Sequence, residues 1–338
     1  MILPFWDQIV KLLKETDSKN VAIVCHRNAD PDALSSAQSL KNLIMESCPS
    51  VTQVVVVAET LNQVSKKIVE AYPEIAISGE IPFKPDAFLL VDVNNVEHTG
   101  KFVNIIEAGN EPLIVIDHHV PQTRPSTKAA ASLIKEDASS TAEIVSLLNE
   151  SVGRTPSKTE ATILLTGIIY DSKRFSRIGK DTFHAANSLL TAGGDYKGAL
   201  SVLRHTSERS EKIARLKAAQ RSRLIEIGGW IVTFSSVSSF AASACRALID
   251  LGSYIAIVTS KKRKDIRMTT RSSNAFYETT KVNLAKLLEK IGTELGGHGG
   301  GHATAATVSG IVDASRGERL ILRYIDEHIH KISGEPRE

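Results

Sequence analysis

The chain has 338 residues, 42% hydrophobic and 23% charged, with a formal net charge of +3. That is the composition of a globular protein long enough for two domains, and the charge is too small to argue for nucleic acid except through a local basic patch. Three cysteines (Cys25, Cys48 and Cys245), with no CxxC pair among them, argue against a disulfide framework and for a reducing, cytoplasmic setting.

The opening "MILPFWDQIVKLLKE" spaces its apolar residues as an amphipathic helix that packs on a core. It lacks the basic start and small-residue cleavage site of a signal peptide. No run approaches the roughly 18 apolar residues needed to span a bilayer, so a soluble chain without a membrane partner is expected. Four unbroken apolar runs follow at 21–25, 53–58, 87–92 and 113–117. They are aliphatic instead of alternating with polar residues, which predicts strands buried on both faces of a parallel sheet. Helix-like stretches at 33–47 and 60–72 lie between them, and two more follow at 140–150 and 157–171. Strand alternating with helix predicts a doubly wound α/β domain. Around 193–200 the composition turns charged and helix-favouring, as in a connector. Beyond it strands are expected at 230–237, 254–260 and 266–273, with "KKRKD" (261–265) as a basic hairpin turn. Helices are expected at 239–251, at 281–295 and from Arg316 onward, completing a smaller α/β domain.

In an open parallel sheet, ligands bind beyond the carboxyl ends of the strands. The first run leads into His26, Asp30 and Asp32, the third ends on Asp92, and the fourth leads into Asp117, His118 and His119. Asp171 closes an apolar helix. Each residue alone has an ordinary reading, as when Asp30 and Asp32 flank Pro31 at a helix start and could serve only as caps. Together, five carboxylates and three histidines converge on one sheet edge with no matching lysine or arginine. Such a cluster is costly to ionise unless cations occupy it. Mixed imidazole and carboxylate donors suit divalent transition ions better than calcium or a thiolate zinc site.

"HRNADPDA", "VDVNN", "DHH" and "YDSKRF" resemble, in order, the four motifs of the DHH phosphoesterase superfamily. The resemblance implies two Mn²⁺ ions, with Mg²⁺ or Co²⁺ as substitutes. It assigns His26, Asp30 and Asp92 to one ion and Asp32, Asp92, His118 and Asp171 to the other, with Asp92 as the bridge. His119 would face the substrate phosphate, and Asp117 would orient its neighbours.

Further along, Gly296 to His302 contains only glycine and histidine, and reads as a turn-forming loop whose N–H groups can meet an anion. "GGGHATAA" resembles the signature of the DHHA1 domain that follows the DHH domain in nanoRNases and RecJ-like nucleases. Gly299, Gly300, Gly301 and His302 are then substrate-binding candidates, with Thr307 where a glycine is usual. "TTRSS" resembles the family's arginine–serine segment, making Arg271 and Ser272 candidates for a phosphate grip. The domains implied are a DHH catalytic domain over 1–195, a helical connector over 196–225 acting as a hinge, and a DHHA1 substrate-binding domain over 226–338. Core packing is the first reading of Phe276 and Tyr277, with base stacking second.

The expected activity is manganese-dependent hydrolysis of short oligonucleotides, extending to pAp and linear or cyclic dinucleotides. Expected partners are short single-stranded RNA or DNA or small nucleotides, and a homodimer is compatible with this reading. A RecJ-like single-strand DNA exonuclease and a noncatalytic nucleic-acid-binding relative are the alternatives.

Overall fold

The computed structural model describes residues 2–120, 129–204, 208–262, 265–311 and 313–333. The chain forms two compact units, Met1–Arg204 and His205–Glu338. The first runs α1 (Ile2–Glu15), β1 (Asn20–Cys25), β2 (Asn28–Ala29), α2 (Pro31–Ser47), β3 (Gln53–Val57), β4 (Thr60–Leu61), α3 (Gln63–Ala71) and β5 (Ala87–Val91). It continues through a 3₁₀ helix (Val96–Phe102), α4 (Val103–Ala108), β6 (Leu113–Asp117), β7 (Ala129–Ile134), α5 (Thr141–Ser151), α6 (Lys158–Asp171), α7 (Thr182–Thr191) and α8 (Tyr196–Val202).

The main sheet has the order β3-β1-β5-β6-β7, parallel throughout. Alternate residues of the same strands feed two cores. Ile23, Leu89 and Ile116 pack with the helices α1, α2, α5 and α6, while Val24, Leu90 and Val115 pack with Phe102 and Ile106 on the opposite face. Burial on both sides explains the unbroken apolar runs. β3, the one expected strand without metal-capable residues at its end, lies at the sheet edge. The expected amphipathic helix is α1, which buries Phe5, Trp6, Ile9 and Leu13.

α6 is enclosed almost all round and packs closely against α2. At their crossing, a Cβ on Gly167 would collide with the Ser35 hydroxyl and press on Ala142 and the Pro31 carbonyl. Glycine is therefore required there, beside the segment that carries Asp30 and Asp32.

The second unit runs α9 (Arg209–Gln220), β8 (Arg223–Ile227), β9 (Trp230–Ser236), α10 (Ala241–Asp250), β10 (Ile255–Lys262), β11 (Asp265–Ser272) and α11 (Asn274–Thr280). It ends with α12 (Leu284–Glu294), β12 (His298–His302), β13 (Ala305–Ile311) and α13 (Ala314–Ser333). The sheet order is β12-β13-β11-β10-β9-β8, with only the β9–β10 pair parallel. α11, α12 and α13 cover one face, and α9 and α10 cover the other.

Two expectations change. The segment 196–225 is shared between the units instead of standing apart: α8 packs on α6 of the first, and α9 packs on α10 of the second. From His298 onward the glycine run is an edge strand, β12, and not a loop, because it pairs with β13 and lies against α12. Phe276 is fully buried edge-on against Trp230, a core residue. Arg263 and Lys264 of the basic turn lie outside the described residues.

Arg154 ties the first unit's helices together. It donates to Glu46 at 2.8 and 2.7 Å, to Glu160 at 2.6 and 2.9 Å, and to Asn149 at 2.7 Å. Glu160 is only 3% exposed and also accepts from Ser39 and Asn42. Removing the guanidinium strands a buried carboxylate. Arg154→Ala should therefore cost about 3–5 kcal/mol, read as an earlier denaturant midpoint. An unchanged midpoint would show that Glu160 finds other compensation.

Candidate metal centre

The carboxyl edge of the sheet gathers the acids and histidines. His26 follows β1, Asp30 and Asp32 flank the first residue of α2, Asp92 follows β5, and Asp117, His118 and His119 sit at the end of β6. Asp171 closes α6. Asp30 caps α2 and also faces the cluster: its Oδ1 accepts from the backbone N–H groups of Asp32 and Ala33, at 2.9 and 3.2 Å, and lies 3.8 Å from His26 Nε2.

Asp92 holds a left-handed backbone, φ 58°, which carries strain for a residue other than glycine and occurs most readily in Asn and Asp. This bend puts Asp92 Oδ2 3.8 Å from His26 Nε2 and Asp92 Oδ1 3.6 Å from His118 Nε2. A group of Asp92, Asp117, His118 and His119 overlaps two further donor groups, His26 with Asp30 and Asp92, and Asp32 with His118 and Asp171. Asp92 stands between them. His118 Nε2 is 3.8 Å from Asp32 and 3.3 Å from Asp171.

Asp32 and Asp92 are buried, and their carboxyls are held well above the usual carboxylate range. Loss of hydration is the first cause, and repulsion from neighbouring aspartates is the second. Asp171 is raised, again chiefly by burial. The backbone N–H groups of Thr141 and Ala142 at the start of α5 offset part of this by donating to Asp32, both at 2.8 Å. The Thr141 hydroxyl donates to Asp92 Oδ1 at 2.9 Å. Sequence reasoning missed Thr141; its only signal was the capping box "STAE" that starts the helix.

His118 tests whether a cation fits. Burial and the neighbouring His119 lower its pKa, so the neutral ring is favoured. Its Nδ1 faces the carbonyl of Ala138 at 3.4 Å, an acceptor, which places the proton on Nδ1. Nε2 then directs a lone pair at the oxygens of Asp32, Asp92 and Asp171, and it is buried without a hydrogen-bond partner. A lone pair facing three carboxylates is repulsive unless positive charge, a proton at low pH or a metal cation at neutral pH, lies among them. The donor set of imidazole nitrogen and carboxylate oxygen is that of a divalent transition ion.

Asp117 stands behind this row. Its Oδ1 accepts from the backbone N–H groups of His118 and His119, at 2.7 and 3.2 Å, and lies 2.9 Å from His119 Nδ1. That bond raises the His119 pKa. The His119 side chain is 56% exposed and lines a cavity of about 990 Å³ with His26, Asp30, Asp92 and Asp117. Asn94 steadies the turn by donating to the His119 carbonyl at 2.9 Å.

The substrate-binding candidates lie in the second unit. Pairing across β11, β13 and β12 puts Arg271, Ala305 and His302 in one row, with side chains on one face. Arg271 Nε and Ser272 Oγ are both buried without a hydrogen-bond partner. The glycines divide by role. Gly299 is pressed against the Leu288 carbonyl of α12, and Gly301 against Ala305 and Ala306 of β13, whereas Gly300 faces open space.

The profile of the DHH family, N-terminal domain, matches residues 20–168. An uncharacterised protein of Methanocaldococcus jannaschii is 30% identical over 318 residues, 94% of each chain. The chain therefore belongs to the DHH family of phosphoesterases. The cyclic-di-AMP phosphodiesterase PdeA of Listeria monocytogenes is 26% identical over 335 residues, which are 93% of this chain and 48% of that protein. The chain thus spans nearly all of the Methanocaldococcus protein and about half the length of the phosphodiesterase. An exopolyphosphatase-related protein of Bacteroides fragilis has the same fold, with a TM-score of 0.62 at 16% identity and 98% of both chains covered. Among the described residues, no helix is long and apolar enough to cross a membrane.

The raised carboxyls predict how the metal-free protein melts. A carboxyl whose pKa is higher folded than unfolded stabilises below the ordinary aspartate range and loses that contribution as pH rises through its folded value. With chelator, the melting temperature should fall as pH rises past the ordinary aspartate range toward neutrality, and Mn²⁺ should restore it most at the upper end. Asp92→Asn should raise the chelated melting temperature and blunt the Mn²⁺ effect. A pH-independent melt with no response to metal would show that these carboxylates are compensated from within the chain.

Proposed function

We propose that this protein is a two-metal phosphodiesterase of short oligonucleotides and dinucleotides. The orphaned His118 Nε2 amid three carboxylates carries the reading. His26, Asp30 and Asp92 would hold one divalent cation, and Asp32, Asp92, His118 and Asp171 the other, with Mn²⁺ the first candidate and Mg²⁺ or Co²⁺ the substitutes. When bound, such a pair supplies Lewis acidity, making water a better nucleophile at neutral pH and neutralising charge on phosphoryl oxygens.

The chain's own groups do the rest. Asp117 keeps His119 protonated to higher pH, and the exposed ring offers a charge-assisted hydrogen bond to a nonbridging phosphate oxygen. Thr141 and the start of α5 fix the Asp32 and Asp92 carboxylates so that their oxygens need not reorganise during the reaction. In the second unit, Arg271 and Ser272 carry unused buried donors for a phosphate group, and Gly300, two residues along the strand from His302, faces open space. His302 stands in the same row, while Gly299 and Gly301 let the strand lie close to its neighbours.

A cyclic dinucleotide substrate is the second reading, favoured by the similarity to the Listeria cyclic-di-AMP phosphodiesterase. The test is turnover with Mn²⁺ on RNAs of graded length, matched single-stranded DNA, pAp, linear pApA and cyclic di-AMP. Fastest loss of the shortest linear substrates is expected, and Arg271→Ala should raise KM about tenfold, the loss of one charge-assisted contact of about 1.4 kcal/mol. Strong preference for long single-stranded DNA would contradict the short-substrate reading. No turnover of any of them with metal bound would contradict the enzyme reading.

A further inference from the structure

The turn after Asp171 is strained, basic and partly aromatic. Lys173, Arg174 and Phe175 all have left-handed backbones, φ 51°, 58° and 63°. This backbone is unfavourable for each of them, and none is a glycine or asparagine that adopts this shape readily. The bend is held by the Arg174 N–H on the Ile169 carbonyl at 2.8 Å, the Arg177 N–H on the Ser172 carbonyl at 2.9 Å, and the Phe175 N–H on the Ser172 hydroxyl at 3.0 Å. Lys173 and Arg174 are turned out to solvent, while Phe175 packs inward against the core.

Phe183, in the first turn of α7, lies over Phe175 with ring centroids 5.6 Å apart and planes at 24°. It is 59% exposed, so one face of a stacked aromatic pair is open to solvent. Arg177 and Lys180 are also exposed. None of the four cations forms an ion pair with another described residue, although Asp181 next in the chain is paired with Lys135.

Both ends of the turn meet the metal centre. It begins at Asp171, 3.3 Å from His118, and Lys173 is close enough to act on the Asp171 carboxyl. It returns at Gly179, packed so tightly on Asp137 and Ala138 that no Cβ fits, and the Ala138 carbonyl faces His118 Nδ1.

We propose that this turn is a nucleotide subsite: Phe183, backed by Phe175, stacks the base next to the scissile phosphate, and Lys173 and Arg174 contact that nucleotide's phosphate. The proposal rests on the phosphodiesterase reading and adds to it the chemistry of the neighbouring substrate residue. A flat aromatic face accepts any base, and unpaired cations beside it select a charged backbone over a neutral aromatic ligand.

The test is steady-state hydrolysis of a triribonucleotide with Mn²⁺ by wild type, Phe183→Ala, Phe183→Trp and the double variant K173A/R174A. Phe183→Ala should raise KM about tenfold, the value of one base stack of about 1.4 kcal/mol, with the loss in KM and not in kcat. Phe183→Trp should restore it. K173A/R174A should also raise KM and flatten its dependence on salt. Triribonucleotide binding by the metal-free proteins, read by fluorescence anisotropy, should weaken in parallel. A wild type that turns over the trinucleotide, with both variants at wild-type KM, overturns the subsite and leaves the phosphodiesterase standing. A wild type that neither binds nor cleaves it overturns both.

Discussion

Asp32 and Asp92 are buried at the sheet's carboxyl edge, with no lysine or arginine among the described residues paired with either. The first unit depends on resolving that conflict. Ionised carboxylates in a poorly hydrated site are costly, and protonated ones do not ligate. α5 supplies partial relief through two backbone N–H groups and one hydroxyl. The deficit that remains is a request for positive charge at a defined point, and His118 Nε2 directs its lone pair at the same point.

The architecture serves that placement. Parallel strands buried on both faces bring β1, β5 and β6 to a common edge, and the residues just beyond them meet there. Gly167 lets α6 approach α2 closely, which sets Asp171 beside the segment of Asp30 and Asp32. The left-handed bend at Asp92 turns one carboxylate toward both donor groups. Local strain at the centre is sustained by the packed core on both faces of the sheet.

Much of this was legible in the sequence. Runs such as "AFLLV" and "LIVID" can only be satisfied inside a two-sided core, and the chemistry at their ends followed from the strand direction. β7, "AAASLI", escaped notice because it is alanine-rich and half exposed, so its strand state comes from pairing with β6. β12 read as a loop because five glycine and histidine residues carry no strand preference; β13 and α12 impose it. Thr141 looked like part of a helix start, and only the tertiary position of α5 brings it to Asp92. Phe183 is an ordinary helix residue by pattern, and its open stacked face appears only when the turn after Asp171 is folded.

The central claim is that the two donor groups hold two cations with Asp92 between them. Anomalous scattering from crystals soaked in Mn²⁺ tests it most directly. Two peaks per chain are expected, one beside His26 and Asp30 and one beside His118 and Asp171, with Asp92 touching both. No peak at this edge, or a single peak that leaves His118 Nε2 unengaged, would contradict it.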